Sequence, residues 1–321
     1  MRSIFVALLL VLPFAQSSSV AAAPVDFGAA CDSPVTNPDA NAIVHEVFDV
    51  KTEELAKAGL LPPGFWERNK DYGFAICDNP GSYDANAIYG KGVMFDYGLV
   101  VFLFAQARAL ILGRYISAPR QFDVFTELVA RFADQGPDTK MNPFQVLTES
   151  AVERGVSPEE VRKTVSDPAF QKREQTLMLV TMYFLSMHER CHIALDHGTR
   201  LAEINKLPEP ERAKPKQDLE IEADRCALDI INKDESRFKS SPVSFFGVLV
   251  VIATQAVVSS RPALSRENSH PSTRARLKIA KARVLEFIGT PSTQAASNYA
   301  ATISATADLF DTLLAKLEVA Q

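Results

Sequence analysis

The sequence has little of what would mark an unusual architecture. Its 14 glycines and 19 prolines in 321 residues follow no collagen-like period, and 47% hydrophobic with 23% charged residues fits neither a disordered chain nor a coiled coil. Neither sign of charge dominates, since 34 Lys and Arg face 39 Asp and Glu for a net charge of -5. That balance gives no electrostatic reason to seek nucleic acid or an anionic membrane, so no nucleic-acid partner is expected. Long apolar runs are missing as well. The most apolar stretches, 4–14, 98–112 and 245–258, fall short of the roughly 20 residues that span a bilayer, and the second carries Gln106 and Arg108. The two later stretches are read as buried core helices, the alternative being that they face lipid. No internal repeat or low-complexity tract is present. Histidine is scarce too, with five in the chain, yet His188, His192 and His197 fall within ten residues.

The first residues, Met1-Arg2-Ser3, lead into the apolar run Ile4 to Phe14 and a small-residue stretch ending Val20-Ala21-Ala22-Ala23-Pro24. This pattern is a secretory signal peptide, 1–22, with cleavage after Ala22, because a cut after Ala23 would place Pro24 directly beyond the bond. The mature protein is then expected to be periplasmic or secreted, with no transmembrane anchor. Export changes how four cysteines are read, because thiols pair in an oxidising compartment. Cys31 and Cys77 lie in loop sequence and are paired with each other. Cys191 and Cys226 lie on expected helices, where a disulfide and two small buried thiols are equally good readings.

Residues 23–85 read as a loop-rich, tethered N-terminal segment with one helix near Val44 to Ala58. A short strand at Gly92 to Tyr97 precedes a helix from Gly98 to Leu112, and helical patterns follow at 121–134 and 143–154. Ser157-Pro158-Glu159-Glu160 and Asp167-Pro168 are both helix starts, with a capping side chain before proline at the first position. The second opens one long buried helix running to Gly198. Leu207 to Lys216, with three prolines, is read as an exposed loop before a helix at 217–232. After 245–258 and a loop at 259–269, helices are expected at 271–287 and, singly or as a pair, at 292–319. The fold class is mainly α, with a short edge strand or small sheet.

His188-Glu189-Arg190-Cys191-His192 stands on the long helix. At about 100° per residue, His188 and His192 sit about 40° apart on one face, and Glu189 lies about 100° round. Two neutral imidazoles can then hold one zinc ion, while the carboxylate beside its open position takes a proton from attacking water. Glu220 and Asp224 share a face of the following helix by the same spacing. Glu220 can complete a His2Glu ligand set, and Asp224 can accept the second ring N–H of a ligating histidine. Arg190 is a departure, because peptidase versions of the motif usually keep that position uncharged. His197, about 180° round an unbroken helix from His188, cannot share the metal and is read as structural. His45 has no partner of its kind nearby. Cys191 as a thiol nucleophile is set aside, because zinc already explains the histidine pair and its glutamate.

These elements resemble the zinc metallopeptidases that include the HtpX heat-shock protease, the CAAX prenyl protease and their periplasmic relatives. Asn86-Ala87-Ile88-Tyr89 leading into Val93 to Leu99 is similar to the family's Asn-Ala element and strand. His188 to His192, with His197 five further on, is similar to its HExxHxxxxH helix, Glu220 to Asp224 to its ExEAD, and His270-Pro271 with Arg276 to its late His-Pro and Arg element. The likeness spans about 86–277, roughly 60% of the chain. It implies a gluzincin-like metallopeptidase domain at 86–288 with a helical insertion near 114–167, followed by a C-terminal helical segment at 289–321. It also implies an exported zinc endopeptidase acting on protein or peptide substrates, with a strand edge that holds an extended peptide beside the metal. His188, His192 and Glu220 bind one zinc, Glu189 is base and then acid, and Asp224 orients a ligand. His270 either ends a loop or acts at the metal's open position, as a latency ligand or an oxyanion donor. Arg276 is read as a packing or substrate-contact residue. The rival reading is a non-catalytic scaffold or binding protein of the cell envelope.

Overall fold

A computed structural model of the chain describes residues 27, 31, 34, 49–79, 82–115, 123–135, 142–238, 243–259, 271–290 and 293–319. The signal sequence, His45 and His270 lie outside them. Among the described residues the protein is mainly helical with one three-stranded sheet. Two short helices, α1 (Lys51–Lys57) and α2 (Phe65–Asn69), precede strands β1 (Gly73–Cys77), β2 (Ala85–Ile88) and β3 (Gly92–Asp96). Helices α3 (Tyr97–Tyr115), α4 (Asp123–Gln135), α5 (Pro143–Glu153), α6 (Pro158–Val165) and α7 (Pro168–Ala194) follow. The chain closes with α8 (His197–Ile204), α9 (Glu209–Phe238), α10 (Val243–Ser259), α11 (Thr273–Ile288) and α12 (Gln294–Val319).

Helix starts occur where side chains can satisfy the first free N–H groups. Asn142 accepts from Phe144, Asp167 accepts from Phe170, and Ser157 with Glu160 forms a full capping box, each cap followed by proline. The long helix α7 is buried at every position from Thr181 to Ile193. Helices α3, α9 and α10 pack around it, with the sheet, α2 and α8 at its C-terminal half. The apolar helices α3 and α10 lie against α7 and each other. Their polar residues pair internally: Gln106 donates to Thr254 at 2.6 Å, and Arg108 makes two bonds to Glu174 at 2.5 and 3.2 Å. Among the described residues no helix is long and apolar enough to cross a membrane.

The sheet runs β1-β3-β2, with β1 parallel and β2 antiparallel to the fully buried β3. Gly92 faces Gly73 across the parallel pair, where a Cβ would lie 2.0 Å from the Gly73 carbonyl oxygen, so a side chain there is excluded. The Cys31–Cys77 bridge is present, and Phe27, Cys31, Ala75, Cys77 and Met94 form a small second core on the sheet.

Three features differ from the sequence reading. The long helix ends at Ala194, and Asp196, with φ 55° and ψ 39°, turns the chain before α8 begins at His197. The proline-rich stretch 207–216 is not a loop, since α9 begins at Glu209. Proline is compatible with a first helical turn, which explains Pro210, and Pro215 is accommodated inside the helix. Strand β1 and helix α2 arise in sequence read as loop-rich. The C-terminal region is one helix, packed on α11 and α4.

Candidate metal centre

Helices α7 and α9 bring His188, His192 and Glu220 together. The Nε2 atoms of His188 and His192 lie 3.1 Å apart. Glu220 places Oε2 3.4 Å from His188 Nε2 and Oε1 3.5 Å from His192 Nε2. Ligand atoms held at about 2.0–2.1 Å around one tetrahedral ion are separated by about 3.3 Å. The three distances lie near that value, with each histidine facing a different oxygen of Glu220, so the two imidazoles and the carboxylate make a donor set that fits a zinc ion. The Cys191–Cys226 bridge ties the same two helices, one sulfur inside the histidine motif and the other two residues beyond Asp224.

Behind the triad the charges are paired and buried. His188 Nδ1 is 2.9 Å from Asp224 Oδ1. Arg276 on α11 grips Asp224 from the other side, through Nε at 2.6 Å and its second terminal nitrogen at 2.5 Å, and its remaining nitrogen bonds Gln255 of α10. Burial works against ionised Asp224, but Arg276 and His188 outweigh it and hold its carboxyl down at about 2. Burial also lowers His188, yet Asp224 and Glu220 raise it to about 10. Burial, reinforced by the neighbouring imidazoles against the pull of Glu220, lowers His192 to about 3, which keeps it neutral as a metal ligand must be.

Glu189 is buried beside the pair and helps to raise both His188 and the half-exposed Tyr89. Tyr89 sits on the turn between β2 and β3, its ring packed where a Cβ on Gly198 would stand. Arg190 points away from this centre. Its guanidinium, 3% exposed, reaches Asp49 at 3.3 Å, and its carbonyl accepts from Asn69. The unusual charge in the motif therefore anchors the N-terminal segment to the back of α7.

His197 is not remote. Because the helix breaks at Asp196, its Nδ1 lies 2.9 Å from His192 Nδ1, and its Nε2 lies 3.4 Å from Glu222. Arg200 holds Glu222 through two bonds at 2.5 and 2.9 Å. A cleft of about 660 Å³ between α8 and α9 is lined by Arg200, Asp218, Glu222 and Arg225 but reaches none of the three ligands. Sequence reasoning did not foresee the contacts of His197 with His192, of Arg276 with Asp224 or of Gln255 with Arg276. For His197 a signal was available, since Leu195-Asp196-His197-Gly198 offers an aspartate tolerant of left-handed backbone followed by glycine. His270 lies outside the described residues, two positions before the serine that caps α11.

The family model described as Peptidase U49 matches residues 127–296, a span that takes in both ligand-bearing helices and Arg276. No curated protein and no solved structure matches the chain.

Proposed function

The chain belongs to the Peptidase U49 family, and from that premise we propose that it is an exported, zinc-dependent endopeptidase that binds one zinc through His188, His192 and Glu220. One observation carries the reading: His188 and His192 from one helix and Glu220 from the next converge, with the carboxylate oxygens of Glu220 3.4 and 3.5 Å from the two imidazole Nε2 atoms. The order of motifs, which resembles that of the HtpX and CAAX prenyl proteases, supports placing it among gluzincins. Two disulfides support export.

Zinc bound there supplies Lewis acidity, polarising the scissile carbonyl and acidifying water. The remaining work belongs to the chain's own residues. Glu189, next to a ligand but outside the ligand set, takes the proton of the attacking water and returns it to the leaving amine. Asp224, fixed by Arg276, orients the His188 ring and favours its Nδ1–H tautomer, leaving Nε2 free to ligate. Among the described residues strand β2 pairs only with β3 and packs against α7, so its outer edge would offer backbone groups to an extended peptide close to the metal. Such pairing recognises main chain rather than particular side chains, as an endopeptidase acting on unfolded protein requires.

The test is metal analysis of the purified mature protein together with cleavage of an unfolded casein-type substrate. Glu189→Gln should keep close to one zinc per chain and lose proteolysis, whereas His188→Ala and Glu220→Ala should lose the zinc itself. If Glu220→Ala binds zinc as tightly as the parent protein, the ligand set is wrong. A parent protein that holds zinc but cleaves nothing would favour the scaffold reading.

A further inference from the structure

We infer that His197 is a positioning residue for the zinc site, fixing the tautomer and orientation of His192 through a chain that runs His192, His197, Glu222, Arg200. The inference rests on the zinc reading above and extends it to a residue outside the ligand set. Its basis is first a backbone one. Continued as helix, the chain would carry His197 to the opposite face from His188. Instead Asp196 adopts left-handed backbone, the only non-glycine among the described residues to do so, and the turn returns His197 to the site. A conformation of that kind costs free energy and persists only where surrounding structure enforces it.

The hydrogen-bond logic follows from one proton per contact. If His192 ligates through Nε2, the atom facing Glu220, its proton must sit on Nδ1. Among the described residues His197 Nδ1 is the atom at hydrogen-bond distance from it, 2.9 Å away, so His197 Nδ1 must be the acceptor. The His197 proton is then on Nε2, which lies 3.4 Å from the Glu222 carboxylate, close enough for electrostatic support though not a formed hydrogen bond. Arg200 keeps that carboxylate ionised and in place. His197 is itself 1% exposed, so water does not compete for either nitrogen. The two histidine ligands thus have unlike supports, a buried aspartate for His188 and a neutral imidazole for His192.

Zinc affinity measured by competition with a chromophoric chelator tests this on the full mature chain, with the visible spectrum of the cobalt-substituted protein as a second readout. His197→Phe should weaken zinc binding about 10–100-fold and change the cobalt spectrum. His197→Asn, whose carboxamide oxygen can take the place of Nδ1 as acceptor, should restore most of the affinity and the parent spectrum. Glu222→Leu changes a side chain 40% exposed, so the fold is not at risk, and should weaken binding severalfold. Affinity within twofold of the parent for both His197→Phe and Glu222→Leu overturns the inference, as does an asparagine variant as weak as the phenylalanine one. Should His197→Phe fail to fold, the Glu222→Leu and His197→Asn measurements decide alone. A parent protein that binds no zinc, or binds it without Glu220, sinks the zinc reading instead; binding that needs Glu220 but not His197 sinks only this inference.

Discussion

Arg276 and Asp224 have side chains only 5% exposed, and each is the other's principal counter-charge. Two parallel bonds between guanidinium and carboxylate are strong and directional, and Arg276 spends its remaining nitrogen on Gln255. Removing one member of a buried pair leaves an uncompensated charge and costs about 3–5 kcal/mol. Arg276→Met should therefore lower the unfolding free energy by that amount in urea titration, and Asp224→Asn combined with it should cost less than the two single changes summed. Additive losses would mean that the two residues do not act as a pair. This is also where legibility in the sequence divides. His188 with His192, and Glu220 with Asp224, could be paired in the sequence because spacing along a helix fixes which side chains share a face, whereas the meeting of the two pairs was only what the resemblance implied. Arg276 could be seen as part of a motif but not as the partner of Asp224, 52 residues away, since only the packing of α11 on α9 decides that. Arg190 is the same lesson with the opposite sign: a charge that looks foreign to the motif is explained by Asp49, far from it in sequence.

Helix beginnings were legible because a capping side chain followed by proline is a local signal, and α5, α6 and α7 start where those signals stand. Helix ends were not. The stop at Ala194 depends on one left-handed aspartate, and one beginning was hidden as well, because Pro208, Pro210 and Pro215 suggest a loop although α9 starts at Glu209 and proline suits a first turn. The strands β1 and β2 are four or five residues long and take their stability from pairing with β3, which no local pattern encodes. The Cys191–Cys226 bridge makes the two ligand-bearing helices one covalent unit across a sequence separation of 35. In the chain-entropy description a loop of that size is worth about 4 kcal/mol. The Cys191→Ala, Cys226→Ala double variant should unfold at distinctly lower temperature, and it should also release zinc faster to a chelator, because Glu220 loses a fixed distance to the histidine pair. A lower melting temperature with unchanged zinc release would confine the bridge to stability alone.

At the scale of the whole molecule, the described residues before β2 are structural parts of the protein. Strand β1 completes the sheet, Lys51 pairs with Asp234 at 2.8 Å, and Arg68 caps the end of α7 by donating to the Ala194 carbonyl at 2.8 Å. Phe27 and Cys31 are buried against Ala75, Cys77 and Met94, so the face of the sheet away from α7 is covered by the first described residues. Processing of an exported chain must then stop short of Phe27, and cleavage after Ala22 does so. The mature protein should begin at Ala23, and peptide mapping without reductant should recover Cys31 joined to Cys77 and Cys191 joined to Cys226. A shorter form beginning at Ser33 would lack Phe27 and one sulfur, leaving Cys77 unpaired and an apolar sheet face open to water. It should bind more of an apolar dye and melt lower than the form beginning at Ala23, while Cys191–Cys226 still forms. Equal melting of the two forms, or free thiols at Cys31 and Cys77 in protein recovered from an oxidising compartment, would show that the N-terminal segment does not hold the sheet in this way.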